Sequence, residues 1–337
     1  MIFLPIAGLA GLNLLMLFSL VKNLFWRQFI FWVLGIGLFF LVRKIVPKNF
    51  FQHHQKIYWM VLAFLFLPIL IGNIVRGSSR WIGVGDFGLQ PSEIAKPFLI
   101  GSFAYLLSRT EIENFSKLVK ILLLAFLPTA VIMLQPDLGS AGVLFLSLLL
   151  LIFLKKPQIN WWLYLTLSVG VLFLVGHSWI IKPYQQERII TFLNPEADPL
   201  GKGYNAIQAQ IAISSGGFWG KGFSQGGQTQ LKFLPEKHTD FILASLGEEL
   251  GLWGLALTII LYFCFFWLML KKVGESEKKF DYYLRLGLFF QIFFQSSINI
   301  AMNLQLFPVV GLPLPFLSYG GSSLLTTLLS LGFFCYN

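Results

Sequence analysis

Charge is scarce in this 337-residue chain: Asp, Glu, Lys and Arg make up 12% of it, about half of what a soluble domain carries. That scarcity excludes an ordinary soluble globule. Cysteine is nearly absent too, and Cys264 and Cys335 both lie in apolar runs, which argues against a disulfide framework or a zinc site. The sequence holds no HExxH, GxSxG, P-loop or Cys/His cluster, so metallopeptidase, serine hydrolase and NTPase chemistry lack support. Hydrophobic residues fill the gap, at 56% of the chain, with 36 Phe and 10 Trp. Repeated apolar runs of about 20 residues predict membrane-spanning helices rather than a barrel. The fold expected is all-α and polytopic, with residues 1–337 as one unit. The net charge of +10 does not point to nucleic acid, because the Lys and Arg are spread over short loops. The start, Met1-Ile-Phe-Leu-Pro5, lacks a basic leader region and is expected to enter the first span uncleaved.

Hydropathy predicts ten spans, at about 3–21, 28–46, 58–75, 91–108, 119–134, 138–154, 161–181, 240–270, 284–306 and 314–335. Only Gln135-Pro-Asp-Leu-Gly139 parts the fifth from the sixth, and its Pro and Gly predict a tight turn. An even count puts both termini on one side. In the short loops, fourteen Lys and Arg fall on the side of the termini, among them Arg43, Lys44, Arg109, Lys155, Lys271 and Arg285. Only Lys22, Arg27, Arg76 and Arg80 fall on the other side, so the termini are expected in the cytoplasm. The polar stretch of about 182–239, between spans seven and eight, is then a large extracellular loop. Arg76 to Asp86, the turn at Asp137 and Leu306 to Phe316 share its side, which favours chemistry at the outer leaflet. No internal repeat is evident, and this weakens a transporter built from inverted halves.

Asp240 closes that loop, behind Pro235-Glu236-Lys237-His238-Thr239. Thr239 or Asp240 could cap the helix that follows. Equally, a carboxylate at a water–lipid boundary, flanked by Lys237 and His238, suits a general base. Glu93 and Lys96 lie three residues apart on one face of span four. They read as an intrahelical ion pair or as a pair that shapes a substrate cavity. Arg188 beside Glu187, and Arg80 beside Trp81, read as interfacial anchors; with Lys237, the arginines could instead meet the phosphates of a lipid-linked substrate. Glu248 and Glu249, together inside span eight, argue for a wet interior. Ser318-Tyr-Gly-Gly-Ser-Ser323 opens span ten with small residues suited to close packing, or with hydroxyls facing a cavity. His53 and His54 read as solvated.

These motifs resemble the SEDS family of bacterial cell-wall proteins, its RodA branch more than FtsW. The resemblance is carried by Arg80-Trp81-Ile, Gln90-Pro-Ser-Glu-Ile-Ala-Lys96, Gln135-Pro-Asp-Leu-Gly139 and Asp198-Pro-Leu-Gly-Lys-Gly-Tyr204. Phe233-Leu-Pro-Glu-Lys-His-Thr-Asp-Phe-Ile242, Gly247-Glu-Glu-Leu-Gly251 and Pro308 through Ser323 add the longest matches. It implies a ten-span bundle in the bacterial plasma membrane that polymerises lipid II at the outer leaflet. Asp240 matches the family's essential extracellular-loop acid, and Glu93 with Lys96 matches its intramembrane pair. The resemblance also implies work with a class B penicillin-binding protein, a transpeptidase, and with other elongation-complex membrane proteins.

On that footing Asp240 is the expected base, and Arg80, Arg188 and Lys237 are expected to hold the departing diphosphate. Trp81, His238 and Ser318 are further candidates for substrate contact. No cofactor is evident, although a divalent cation such as Mg2+ could assist. A lipid II flippase and a non-catalytic scaffold for the transpeptidase are the alternatives from other classes.

Overall fold

The computed structural model describes residues 2–47, 49–71, 73–75, 78–83, 88–155, 188, 190–199, 201 and 203–336. Among these the regular structure is helical apart from one small hairpin. The helices are α1 (Phe3–Leu20), α2 (Lys22–Ile45), α3 (His54–Ile71), α4 (Pro91–Arg109), α5 (Phe115–Leu134) and α6 (Leu138–Leu154). They continue with α7 (Tyr204–Gly216), α8 (Ile242–Gly274), α9 (Lys279–Asn303) and α10 (Gly321–Phe334). The hairpin pairs β1 (Asn73–Val75) antiparallel with β2 (Ser78–Trp81), Asn73 opposite Trp81.

Nine of the ten expected spans meet a helix, and the seventh, 161–181, lies outside the described residues. Several boundaries move. Val21 alone, at φ −152, turns α1 into α2, so Lys22 to Arg27 are helical rather than a loop. The third span ends at Ile71, where the chain leaves the helix for the hairpin. The tenth begins at Gly321, seven residues after the expected 314, because Pro313, Pro315 and Gly320 (φ 164) keep the preceding stretch irregular. The turn after α5 is as tight as its sequence predicts: Asp137 caps α6, its carboxylate accepting from the Ser140 N–H at 3.2 Å.

Helices α1, α2, α5 and α8 are long and apolar enough to cross a membrane, and α6 and α10 are shorter apolar helices. Their outward faces carry large exposed hydrophobics, such as Trp253, Ile260, Phe263 and Trp267 on α8, a surface suited to lipid rather than water. Helices α4 and α9 differ. Packed against each other and against α6 and α10, they hold the polar side chains of the interior: Glu93, Lys96, Gln295, Asn299 and Asn303. A ring of apolar helices around them is what lets such residues leave water. Helices α2 and α10 approach closely at a small residue, for a Cβ at Gly35 would displace the end of the Leu328 side chain.

Candidate active site at the loop–helix junction

Two irregular segments meet where α8 and α10 begin. The first, Lys237 to Phe241, leads into α8; the second, Gly311 to Gly320, leads into α10. Buried carbonyls outside regular structure need donors, and the first segment has one for each of four consecutive residues. Ser245 Oγ donates to the Lys237 carbonyl (2.8 Å), the Tyr319 N–H to that of His238 (2.8 Å) and Ser318 Oγ to that of Thr239 (2.5 Å). Asn299 Nδ2 (3.0 Å) and Asn303 Nδ2 (2.9 Å) both donate to the carbonyl of Asp240. The second segment is held in the same manner by five helix residues. Asn299 and Gln295 donate to the carbonyls of Leu312 (2.7 Å) and Pro313 (3.2 Å), Tyr262 to Pro315, Asn13 to Leu317 (2.6 Å) and Gln28 to Ser318 (3.5 Å). Irregular backbone within a bundle of apolar helices is tolerated because protein surrounds it.

This scaffold places the Asp240 carboxylate beside Gly311. A Cβ built on Gly311 would lie 3.5 Å from Asp240 Oδ2, and Gly311 has φ +72, a conformation that favours glycine. Asp240 is not the cap of α8. The N-cap is Phe241, without a side-chain bond, and Asn303 Oδ1 accepts from the Ala244 N–H at 3.1 Å. The capping role falls to the neighbouring helix, so the Asp240 side chain is not needed for it. Thr239 turns its hydroxyl back to Glu236 Oε2 at 2.9 Å.

A second polar cluster lies inside the bundle. Lys96 Nζ is 2.6 Å from Glu93 Oε1 and donates to Gln295 Oε1 at 3.0 Å, while Ser140 Oγ donates to Glu93 at 3.3 Å. Both charges are buried. Asp137, buried one turn away, accepts from Gln90 Nε2 (2.7 Å) and Ser92 Oγ (3.0 Å), and Arg80 Nη1 stands 3.8 Å from it. Strand β2 therefore sets Arg80 over the α5–α6 turn, and Trp81 next to it packs on Gly88. Gln295 joins the two clusters, since its amide bonds Lys96 on one side and Pro313 on the other.

The remaining candidates divide. Lys237 is buried, its ammonium donating to the Thr229 carbonyl, and burial pushes its pKa below the ordinary lysine range. The His238 ring lies 5.8 Å from that of Tyr319. Arg188 is exposed. Ser318 is a clamp: besides donating to Thr239, its oxygen accepts from the Leu314 N–H at 2.8 Å. Glu248 and Glu249 do not line a wet interior, for both are buried and dressed by the folded loop. Glu248 takes Lys221 Nζ (2.7 Å) and the N–H groups of Gln228 (2.8 Å) and Thr229 (2.9 Å). Glu249 takes Ser19 Oγ (2.6 Å), the Ser224 N–H (3.2 Å) and Gln230 Nε2 (2.9 Å). The loop thus docks on the start of α8 through two carboxylates.

Helix α9 carries what sequence reasoning missed. Gln291, Gln295, Asn299 and Asn303 repeat every four residues, one amide per turn on a single face of an apolar span. That spacing was the available signal.

A family model described as "Cell cycle protein", covering FtsW, RodA and SpoVE, matches residues 6–336. The chain belongs to this family. The peptidoglycan glycosyltransferase MrdB of Escherichia coli is 36% identical over 305 residues, 89% of this chain and 81% of that protein. A probable peptidoglycan glycosyltransferase FtsW of Pseudoalteromonas translucida is 35% identical over 323 residues, 94% and 80% of the two chains. Among solved structures, a chain from work on the coordination of polymerization and crosslinking by a peptidoglycan synthase complex matches with a TM-score of 0.84 and 28% identity. That match covers 99% of this chain and 95% of the other. The rod shape determining protein RodA of Thermus thermophilus shares the fold, with a TM-score of 0.73 at 23% identity over 99% and 94% of the chains. This member of the FtsW/RodA family is a membrane protein. Its two polar clusters fall within the matched span, and the amide stripe of α9 lies between them.

Proposed function

We propose that this chain is a peptidoglycan glycosyltransferase that polymerises lipid II into β-1,4 glycan strands at the outer leaflet during cell elongation. The observation that carries this reading is Asp240, a carboxylate held at a loop–helix junction by donors to its own carbonyl and to the three before it. In the reaction, the 4-hydroxyl of an acceptor GlcNAc attacks C1 of a donor MurNAc. The C1–O bond to undecaprenyl diphosphate breaks, and the α-linked donor becomes β-linked by a single inversion. Asp240 accepts the hydroxyl proton as the C–O bond forms. Its backbone ties spare it reorganisation at that moment.

Arg80 and Arg188 are the cations assigned to the departing diphosphate, since guanidinium meets phosphate bidentately. Lys237, engaged with Thr229, is better suited to holding the loop. Among the described residues no three His, Cys, Asp or Glu side chains are grouped to hold a metal ion. A divalent cation such as Mg2+ could still accompany the diphosphate, because phosphate oxygens, water and one or two carboxylates suffice to hold it. The partner implied is a class B penicillin-binding protein, and the termini are assigned to the cytoplasm of a bacterial plasma membrane on the loop-charge count.

Purified protein given lipid II should form a ladder of glycan strands. Asp240→Asn should fold and lose about 100- to 10,000-fold in rate. Strand synthesis by Asp240→Asn at the wild-type rate would remove Asp240 as base. Transfer of lipid II across a vesicle bilayer with no polymer at all would make the chain a flippase.

A further inference from the structure

The amides of α9 do more than fill the bundle. Burying a side-chain amide costs free energy unless its donors and acceptor are all used. Gln295, Asn299 and Asn303 are each buried, and each both donates and accepts. Their bonds are not spread at random. Beyond α9 itself they go to one inward charge, to two adjacent carbonyls of the 311–320 segment, to the peptide carbonyl of Asp240 and to the Ala244 N–H.

Gln295 accepts from Lys96 Nζ at 3.0 Å and donates to the Pro313 carbonyl at 3.2 Å. One turn on, Asn299 donates to the carbonyls of Leu312 (2.7 Å) and Asp240 (3.0 Å). One further turn on, Asn303 donates to the Asp240 carbonyl (2.9 Å) and accepts from the Ala244 N–H (3.1 Å). Asn303 also donates to the Asn299 carbonyl (2.9 Å) and side-chain oxygen (3.2 Å), which fixes both amide orientations. Each step of four residues advances about 6 Å along the helix. The three amides therefore form a rod about 12 Å long, reaching from the Glu93–Lys96 pair to the backbone of Asp240.

We infer that Gln295, Asn299 and Asn303 are positioning residues that set the distance between the Asp240 carboxylate and the wall made by Gly311 to Pro313. Two donors on one carbonyl fix the peptide plane after Asp240, and hence the direction in which its carboxylate leaves the chain. The same Asn299 amide holds Leu312, so wall and base cannot move independently. Lys96 gains a role here: through Gln295 it anchors the inner end of the rod. The inference rests on Asp240 acting as the base.

The test compares wild type, Asn299→Ser, Gln295→Glu and the double variant, as purified full-length protein with lipid II as substrate. Gln295→Glu keeps the acceptor for Lys96 and, as a carboxylate paired with that ammonium, loses the donor to Pro313, so it cuts the rod with little change of volume. Each single variant should lose about 10- to 100-fold in kcat, the scale of a small misplacement of reacting groups. KM should change by less than about threefold, because ground-state binding is untouched. The double variant should be no more than about threefold slower than the slower single, since both act through one wall. Normal kcat in either variant that melts with wild type would overturn the inference, as would a loss confined to KM or a double effect equal to the product of the singles. Gln295→Glu decides alone if Asn299→Ser does not fold. A failure of the underlying assignment is recognised separately, by Asp240→Asn polymerising at the wild-type rate.

Discussion

One ion pair at each end of the bundle shows two opposite ways of holding charge. At the end that carries Asp240, Lys96 and Glu93 stand 2.6 Å apart with side chains 0% and 2% exposed. At the other end, Lys117 and Glu113 stand 2.9 Å apart, 42% and 58% exposed. Glu111, 60% exposed, meets Lys155, itself only 4% exposed, at 2.9 Å and Lys279 at 3.6 Å, and the Lys155 bond holds its carboxyl below the usual carboxylate range. The separations are nearly equal, so distance does not distinguish the ends. Solvation does. An exposed pair surrenders little on breaking because water replaces the partner. A buried pair that loses one member leaves a charge with nothing adequate to meet it. The polar groups at the Asp240 end are therefore bound to stay where they are, which is what a preorganised site requires.

Lys96→Met gives the sharpest break of this comparison. It leaves the Glu93 carboxylate with only the 3.3 Å bond from Ser140 and removes the partner of Gln295. The expected loss is about 3–5 kcal/mol of folding stability, read as a large drop in melting temperature of the purified protein. Adding Glu93→Gln should recover part of it, because no unpaired charge then remains. Equal melting of wild type and Lys96→Met would mean that water reaches the pair, and the contrast between the two ends would collapse.

Much of the bundle was legible because hydropathy acts locally. Nine of the ten expected spans meet a helix on the strength of apolar runs alone, and Gln135 to Gly139 announced its own turn. Asp240 was legible as the acid where a polar loop meets an apolar helix. Its surroundings were not, because they depend on residues remote in sequence. The cap of α8 comes from Asn303, 59 positions beyond the N–H it accepts, and the Leu317 carbonyl is met by Asn13, 304 positions away. Glu248 and Glu249 looked like signs of water because their partners, Lys221 and Ser19 among them, are brought to them only by the fold. The late start of α10 was foretold by Pro313 and Pro315, but a continuous apolar run outweighed them.

Glu248→Gln tests an intermediate case, a carboxylate buried on α8 whose lysine partner is 32% exposed. The change keeps the shape but replaces one oxygen by an NH2 group, which then opposes either the Lys221 and Gln228 donors at Oε1 or the Thr229 donor at Oε2. A cost of about 1.5–3 kcal/mol is expected, the scale of a hydrogen bond to a charged group. The loop from Lys221 to Gln230 should become the first site of protease cleavage, since this carboxylate ties it to the helix. Unchanged cleavage would show that Glu249 and Ser19 hold the loop without help.

Glu113→Gln marks the other extreme. The pair with Lys117 is an i, i+4 contact in the first turn of α5, and Asn114 already caps that turn by accepting from the Lys117 N–H at 3.0 Å. Removing the carboxylate abolishes one 2.9 Å bond but exposes no buried charge and no unsatisfied backbone group. The expected change is about 0.2–0.5 kcal/mol, shrinking further in high salt. Melting curves at low and high ionic strength give the check. A loss above about 1 kcal/mol would mean that the exposed end stores energy as the buried end does, and solvation would no longer explain why one end can be edited freely and the other cannot.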